Sequence, residues 1–173
     1  AGFIGDEARG GFAALIDQLG VQRFIVFGHS VGGGMAVSVA AAYPDRCVGL
    51  VTESAQAFVE ERTREGIRVA QAQFAAPGQM ARLEKYHGDK AEWVLHAWVS
   101  TWLSPAFASW CLDDALLGVR CPVLALHGTE DEYGSTAQPE RIVTANIGCV
   151  THLQSGTDTP VEHWIELVDR MLV

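Results

Sequence analysis

The sequence predicts an α/β fold in which a mostly parallel sheet is flanked by helices. Three short runs, 24–27, 48–51 and 123–126, are apolar at every position, and helical patterns separate them. A strand that is apolar on both sides is typical of a parallel sheet that helices cover on both faces. Strands that alternate with helices form β-α-β units. A weaker fourth run lies at 150–153.

The helices are indicated by apolar spacing and by their end residues. The stretch 8–19 carries apolar residues at helical spacing, and Gly20 is its predicted C-terminal cap. A helix of small residues is predicted over 31–43. The last helix starts with a capping box at 159–162, in which proline takes the first helical position.

Residues 54–118 interrupt this alternation. The stretch contains no convincing strand, is rich in Arg, Glu, Gln and Ala, and then carries tryptophans, of which Trp98 and Trp102 stand at helical spacing. We expect a helical lid between two core segments, 1–53 and 119–173. A lid closed over the site would let Trp98 and Trp102 wall an apolar cavity, and ordinary core packing is the alternative for this stripe.

Composition and charge exclude several classes of function. A chain of 173 residues with 49% hydrophobic residues can build a sizeable core, and no apolar run reaches the roughly 18–20 residues of a membrane span. Lys and Arg number 12 against 21 Asp and Glu, so neither nucleic acid nor an anionic membrane is an expected partner. The four cysteines lack a Cys-x-x-Cys pair, which predicts reduced thiols in a cytoplasmic protein and no metal site.

The most specific motif is Gly-His-Ser-Val-Gly at 28–32, between a buried strand and a helix. A strand that turns at once into a helix strains its corner residue, and flanking glycines avoid a clash there and leave the Ser30 hydroxyl exposed. The Val31 N–H, at the start of the helix, points to where an oxyanion would form. The motif predicts a nucleophile at Ser30, with a plain tight turn as the alternative. His29 is expected near the site, where it faces the substrate or has a structural role.

This motif and the His-Gly-Thr-Glu-Asp stretch at 127–131, which follows a strand, resemble the α/β-hydrolase superfamily. The resemblance is to the capped serine esterase and C–C hydrolase branch. It implies a Ser–His–acid hydrolase that needs no metal or organic cofactor, with Asp131 as the acid; an ordinary solvated turn acid is the alternative. A cavity walled by tryptophans would then take a small hydrophobic acyl substrate.

The sequence departs from the superfamily pattern at the histidine. The superfamily places it just after the last strand, as Gly-His-x-Pro, and Asp158 falls on that position here. A carboxylate with a pKa near 4 is a weak base toward a serine hydroxyl. His163 is the histidine assigned as the base, although helical spacing turns it toward water and favours an ordinary surface histidine. Asp158 therefore supports a second hypothesis, a binding or scaffolding protein with impaired catalysis.

A second departure concerns the sheet. In the superfamily, further strands precede the nucleophile strand, and a loop among them supplies the second oxyanion N–H. Without them the strand at 24–27 lies at an edge with two apolar faces, an arrangement that promotes aggregation. We therefore expect a fold whose first half of the sheet is missing. Either another segment or a second chain completes the sheet, or the sequence is a fragment of a longer protein, which is the alternative we favour.

Overall fold

The computed structural model describes residues 2–144 of the 173-residue chain. The predicted strand at 150–153 and the predicted final helix lie outside the described residues. So do Cys149, Asp158 and His163.

Three parallel strands form the described sheet: β1 (Phe24–His29), β2 (Cys47–Glu53) and β3 (Val123–Leu126), in the order β1-β2-β3. All three predicted strands are confirmed, and β1 and β2 extend beyond their predicted ends. His29 pairs with Glu53, which pairs with Leu126. The three strands therefore end level, so the residues that follow them gather at one edge of the sheet.

Eight α-helices lie among the described residues. They are α1 (Phe3–Arg9), α2 (Gly11–Gln18), α3 (Val31–Ala42), α4 (Glu61–Phe74), α5 (Met80–His87), α6 (Ala91–Leu103), α7 (Asp113–Leu116) and α8 (Ala137–Thr144), with short 3₁₀ turns at Gly88–Lys90 and Pro105–Phe107. None of the helices described in this part of the chain is long and apolar enough to cross a membrane.

The single helix predicted over 8–19 is wrong, because two helices, α1 and α2, occupy this region. Gly10 separates them with φ −103° and ψ −91°, outside the helical range. The pair Gly10-Gly11 favours such a break because glycine is a poor helix former. Gly20 has φ +64° just after α2, so its predicted role in ending the helix is confirmed.

The core lies between the sheet and α3. Leu50 of β2 is 1% exposed and packs in one apolar cluster with Val37 and Ala40 of α3 and Val123 of β3. Val51, whose side chain points to the opposite face, is 3% exposed, which confirms that β2 is buried on both faces. β1 is the edge strand of the described sheet, and its Phe27 stays 42% exposed.

Residues 54–118 are mainly helical, as predicted, and carry α4 to α7. Trp102 of α6 is 4% exposed and stands edge-to-face against Phe107 at 5.2 Å and Trp110 at 5.7 Å between ring centres. Ile67 and Val99 belong to the same apolar cluster. The tryptophan stripe is thus partly core, and the role of this stretch as a lid stays a prediction.

The three cysteines in the described part of the chain are free thiols. The buried thiols of Cys47 and Cys121 contact each other at 3.7 Å, much longer than the about 2.05 Å of a disulfide. The hydrogen bond with Cys121 is the largest cause that lowers the pKa of Cys47 to about 7, against the effect of burial. Cys111 is exposed. The cytoplasmic location stays a prediction.

Candidate active site

Ser30 occupies a strained corner between β1 and α3. Its backbone has φ 54° and ψ −126°, a region that residues other than glycine rarely adopt and that is concentrated at functional sites. Its N–H donates to the Glu53 carbonyl at 2.9 Å, and its own carbonyl accepts from the Gly33 N–H at 2.9 Å. These bonds tie the corner to β2 and to the first turn of α3.

The corner depends on two of its glycines. A Cβ atom at Gly28 would stand 2.1 Å from the Gly32 carbonyl oxygen, and one at Gly33 would stand 2.3 Å from the Cβ of Ala55. A Cβ at Gly32 would meet nothing within 4 Å. The prediction that both flanking glycines relieve a clash is therefore right for Gly28 and wrong for Gly32. Gly32 takes part only through its carbonyl group, which a Cβ at Gly28 would contact.

A cavity of about 250 Å³ opens at the Ser30 hydroxyl. The hydroxyl donates to Oε1 of Gln56 at 3.4 Å, and the Gln56 amide is held by the Ser54 carbonyl at 3.3 Å. Val31, the first residue of α3, also lines the cavity. The first N–H groups of a helix have no partner within it, so the Val31 N–H is available beside Ser30.

Aromatic side chains form much of the cavity wall. Trp98 and Trp102 of α6 line it together with Tyr133, and the rings of Trp98 and Tyr133 meet edge-to-face at 6.1 Å. The structure therefore places both predicted tryptophans in the cavity that Ser30 lines. His29 is exposed and is not among the residues that line it.

Asp131 lies in the loop after β3, held by the backbone around it. Its Oδ1 accepts from the Tyr133 N–H at 2.7 Å and from the Gly134 N–H at 3.0 Å. Burial alone would raise the pKa of Asp131, but hydrogen bonds from Tyr133, the Ser54 side chain and Gly134, and the charge of His127, lower it below its usual value. Asp131 is therefore a carboxylate across the neutral pH range.

Ser30 and the Asp131 loop lie at the same edge of the sheet. β1 and β3 lie on either side of β2, so their level ends are about 10 Å apart at about 4.8 Å per strand spacing. Tyr133, two residues beyond Asp131, lines the cavity of Ser30. The sheet register thus brings the predicted nucleophile and the predicted acid to the same edge.

Sequence reasoning missed three residues at this edge, namely Ser54, Gln56 and Tyr133. Ser54 follows β2 directly, has φ 46°, and its side chain helps to lower the pKa of Asp131. Gln56 is 5% exposed and faces Ser30. The position of Ser54 and Gln56 after a buried strand is the signal that could have found them, because ligands bind beyond the carboxyl ends of parallel strands.

The first turn of α4 is hydrogen-bonded to the loop that carries Asp131, the acid loop. Thr63 donates its hydroxyl to the Tyr133 carbonyl at 2.6 Å, and Arg62 donates through Nε to the Asp131 carbonyl at 2.7 Å. Gly66 lets the helix approach, since a Cβ there would stand 2.6 Å from the Glu132 carbonyl oxygen. The helical segment and the loop that bears Asp131 are therefore joined directly.

The proposed base, His163, and Asp158 at the family's histidine position lie beyond this region. Asp158 and His163 are outside the described residues, so the contacts of a catalytic base with Ser30 rest on the sequence alone. His127 lies near Asp131, with its Nε2 at 3.1 Å from the Gly134 carbonyl oxygen. Between residues 2 and 144, no group of three or more His, Cys, Asp or Glu side chains is placed to hold a metal ion.

A family model described as alpha/beta hydrolase fold matches residues 8–142. The lipase LipV of Mycobacterium tuberculosis is 40% identical over 85 residues, which cover 46% of this chain and 31% of that protein. The glycolate oxidase iron-sulfur subunit of Escherichia coli is 32% identical over 101 residues, which cover 57% of this chain and 25% of that protein. The chain thus spans between a quarter and a third of the length of these curated relatives.

Solved structures match a larger share of this chain than the two curated relatives do. A membrane phospholipase A, described as a bacterial virulence factor, matches with a TM-score of 0.63 and 18% identity over 83% of this chain and 53% of that one. An alpha/beta fold family hydrolase from Bacillus anthracis matches with a TM-score of 0.60 and 14% identity, over 83% and 63% of the two chains. At these identities the likeness concerns the fold.

Proposed function

The chain belongs to the alpha/beta-hydrolase fold family, and we propose that it is a serine hydrolase that cleaves esters, thioesters or similar compounds of small hydrophobic acyl groups. The observation that carries this proposal is the strained Ser30 at a strand–helix corner, with its hydroxyl in a cavity beside the loop of Asp131. The similarity to the lipase LipV supports the hydrolytic class.

The proposed reaction proceeds through an acyl-enzyme. The Ser30 Oγ attacks the substrate carbonyl carbon while a histidine, for which we propose His163, takes its proton. The carbonyl oxygen becomes an oxyanion, to which the Val31 N–H donates. The leaving group departs with the proton that the histidine returns, and water, activated by the same histidine, then hydrolyses the acyl-enzyme. Asp131 orients the imidazole and stabilises its charged form.

The cavity walls suggest the substrate class. Trp98 and Trp102 offer apolar ring surface next to Ser30, and such rings favour small hydrophobic or aromatic acyl groups. We propose that residues 54–118 act as a lid over this cavity. The contacts of α4 with the acid loop would couple the lid to Asp131.

Hydrolysis of p-nitrophenyl butanoate tests this function. We expect activity in the wild-type chain that Ser30→Ala reduces by about 10³-fold or more, since the nucleophile is lost. Ser38→Ala is the matched control, because Ser38 lies on α3, the helix that begins directly after Ser30, with its hydroxyl bonded back to the Gly34 carbonyl. Equal activity in the Ser30 and Ser38 variants would refute the proposal.

Asp158 supports the second candidate, a binding protein of the same fold with impaired catalysis. The residue falls on the position where the superfamily has its histidine. We predict that Asp158→His raises ester hydrolysis at least about tenfold, because a positioned imidazole base contributes about 10²–10⁴-fold. A folded variant with no gain would show that the third triad position lies elsewhere.

A further inference from the structure

Two cavities meet at Tyr133. The first, about 250 Å³, is the one that contains the Ser30 hydroxyl. The second, about 370 Å³, lies along α4 and is lined on that helix by Gly66, Val69 and Ala70 among others. Tyr133 is the residue that the two linings share within the described part of the chain. Its side chain therefore stands at the boundary between them.

The Tyr133 ring fills the space between two helices. On one side it lies against α4 at Gly66, where an added Cβ would come within 3.0 Å of a ring carbon. On the other side it meets the Trp98 ring of α6 edge-to-face at 6.1 Å. The ring thus lies between α4 and α6, beside both cavities.

The backbone of Tyr133 is fixed from both directions. Its N–H donates to the Asp131 carboxylate at 2.7 Å, and its carbonyl accepts from the Thr63 hydroxyl at 2.6 Å. The backbone that carries the ring is therefore held in place, next to Asp131, the acid of the proposed triad. A ring held in this way keeps its position beside the two cavities.

The volumes of the two cavities suggest a function for the Tyr133 ring. Pockets for small molecules commonly hold roughly 300–1,000 Å³, and the Ser30 cavity is smaller than that while the two cavities joined fall within the range. Resting on the proposed hydrolase function, we propose that Tyr133 is a specificity-determining residue that ends the acyl pocket and restricts the chain to short acyl groups. The second cavity is then the space that a longer acyl chain would enter if the ring were absent.

The lining of the second cavity suits that role. Gly66, Val69 and Ala70 give α4 a small, apolar face along it. Charged and polar residues also line it, namely Arg62, Glu65, Gln73 and Glu132. An alkyl chain can lie along the apolar face with its end toward solvent, and each buried methylene stabilises binding by about 0.8 kcal/mol.

The test compares p-nitrophenyl butanoate with p-nitrophenyl octanoate. We expect Tyr133→Ala to raise the ratio of kcat/KM for octanoate over butanoate by at least about tenfold, through a lower KM for octanoate. Tyr133→Phe, which keeps the ring, should retain the wild-type ratio. Tyr86→Ala is the control for aromatic removal elsewhere, since Tyr86 is 76% exposed on α5. If Tyr133→Ala unfolds, Tyr133→Leu takes its place.

A binding experiment separates this proposal from the proposed function. In the Ser30→Ala background, calorimetric titration with butanamide and octanamide measures acyl binding without chemistry. The Tyr133→Ala change should strengthen octanamide binding relative to butanamide by at least about tenfold. Absence of Ser30-dependent hydrolysis would refute the hydrolase while this titration still decides the role of Tyr133. An unchanged chain-length preference in both experiments would overturn the proposal.

Discussion

At Ser30 the left-handed backbone exists because no side chain stands at Gly28. The contact of Gly28 with the Gly32 carbonyl is so close that a Cβ would stand 2.1 Å from the oxygen. Backbone atoms cannot move aside as a flexible side chain can. The corner, and with it the direction of the Ser30 hydroxyl, therefore depends on the absence of a side chain at Gly28 as well as at Gly33.

This predicts opposite effects for two glycines of one motif. Gly28→Ala should destabilise the fold by about 3 kcal/mol or more, by analogy with overpacked cores, and should abolish Ser30 reactivity. Gly32→Ala should leave stability unchanged or raise it by about 0.5–1 kcal/mol, because alanine favours a helix and a Cβ there meets nothing. Thermal unfolding of both variants checks this, and equal losses of stability would contradict the account of the corner.

Asp131 gives a second prediction at this scale. Asp131→Asn should lower kcat by about 10³–10⁴-fold with little change in KM, because the amide cannot hold the imidazole in the required tautomer. Glu130→Gln is the matched control, since Glu130 is an exposed neighbour in the same loop. Steady-state kinetics of both variants, which give kcat and KM separately, test this prediction. Similar losses from the two changes would show that Asp131 is an ordinary loop acid.

At the scale of elements, the join between α4 and the acid loop is built on Glu60. Its carboxylate accepts from the Ser135 N–H at 2.7 Å, from the Ser135 hydroxyl at 2.9 Å and from Nε2 of Gln138 at 2.7 Å. Gln138 of α8 is fully buried and also bonds the backbone of Ala57 and Phe58. The network joins the start of the helical segment to the loop that carries Asp131.

The charge of Glu60 makes this join depend on pH. Burial would raise the pKa of Glu60, but the bonds from Ser135 and Gln138, and the nearby Arg62, lower it below its ordinary 4.5 in the folded protein. Folding therefore favours the ionised form, so its contribution is complete above the ordinary pKa and is lost as the pH falls through the lowered folded-state value.

We predict that Glu60→Gln reduces the free energy of unfolding by about 1–3 kcal/mol near neutral pH. The difference from the wild type should shrink as the pH falls below the ordinary pKa of Glu60. Glu61→Gln is the control, because Glu61 is an exposed neighbour that bonds Arg68 at the surface, and its loss should be smaller. Urea unfolding over a range of pH measures this. A loss from Glu60→Gln that stays constant into acid would contradict the assignment.

The elements also show what the sequence could predict. The three strands were predictable because each contains a run that is apolar at every position, and α3 because small residues follow the motif directly. The break at Gly10 was missed because the apolar spacing continues across it, and α8 was missed because Pro139 obscures its pattern. Local spacing therefore predicted the elements in contact with the core better than the short helices around it.

At the scale of the whole molecule, the site arises from sheet register. The level ends of β1, β2 and β3 bring Ser30, Ser54 and the Asp131 loop together although they are far apart in sequence. Ser30 and Asp131 were predictable because each belongs to a motif. Gln56, Tyr133 and their cavity were not, because they meet Ser30 only through the packing of the helical segment, which no local pattern records.

The central claim is that the corner presents one reactive hydroxyl, and covalent trapping tests it most directly. The folded chain is treated with a fluorophosphonate, and its intact mass and peptide map are then measured by mass spectrometry. The account predicts one phosphonyl group per chain on Ser30, absent in Ser30→Ala and retained in Ser38→Ala. A folded chain that stays unmodified, or that carries the group on another residue, would contradict it.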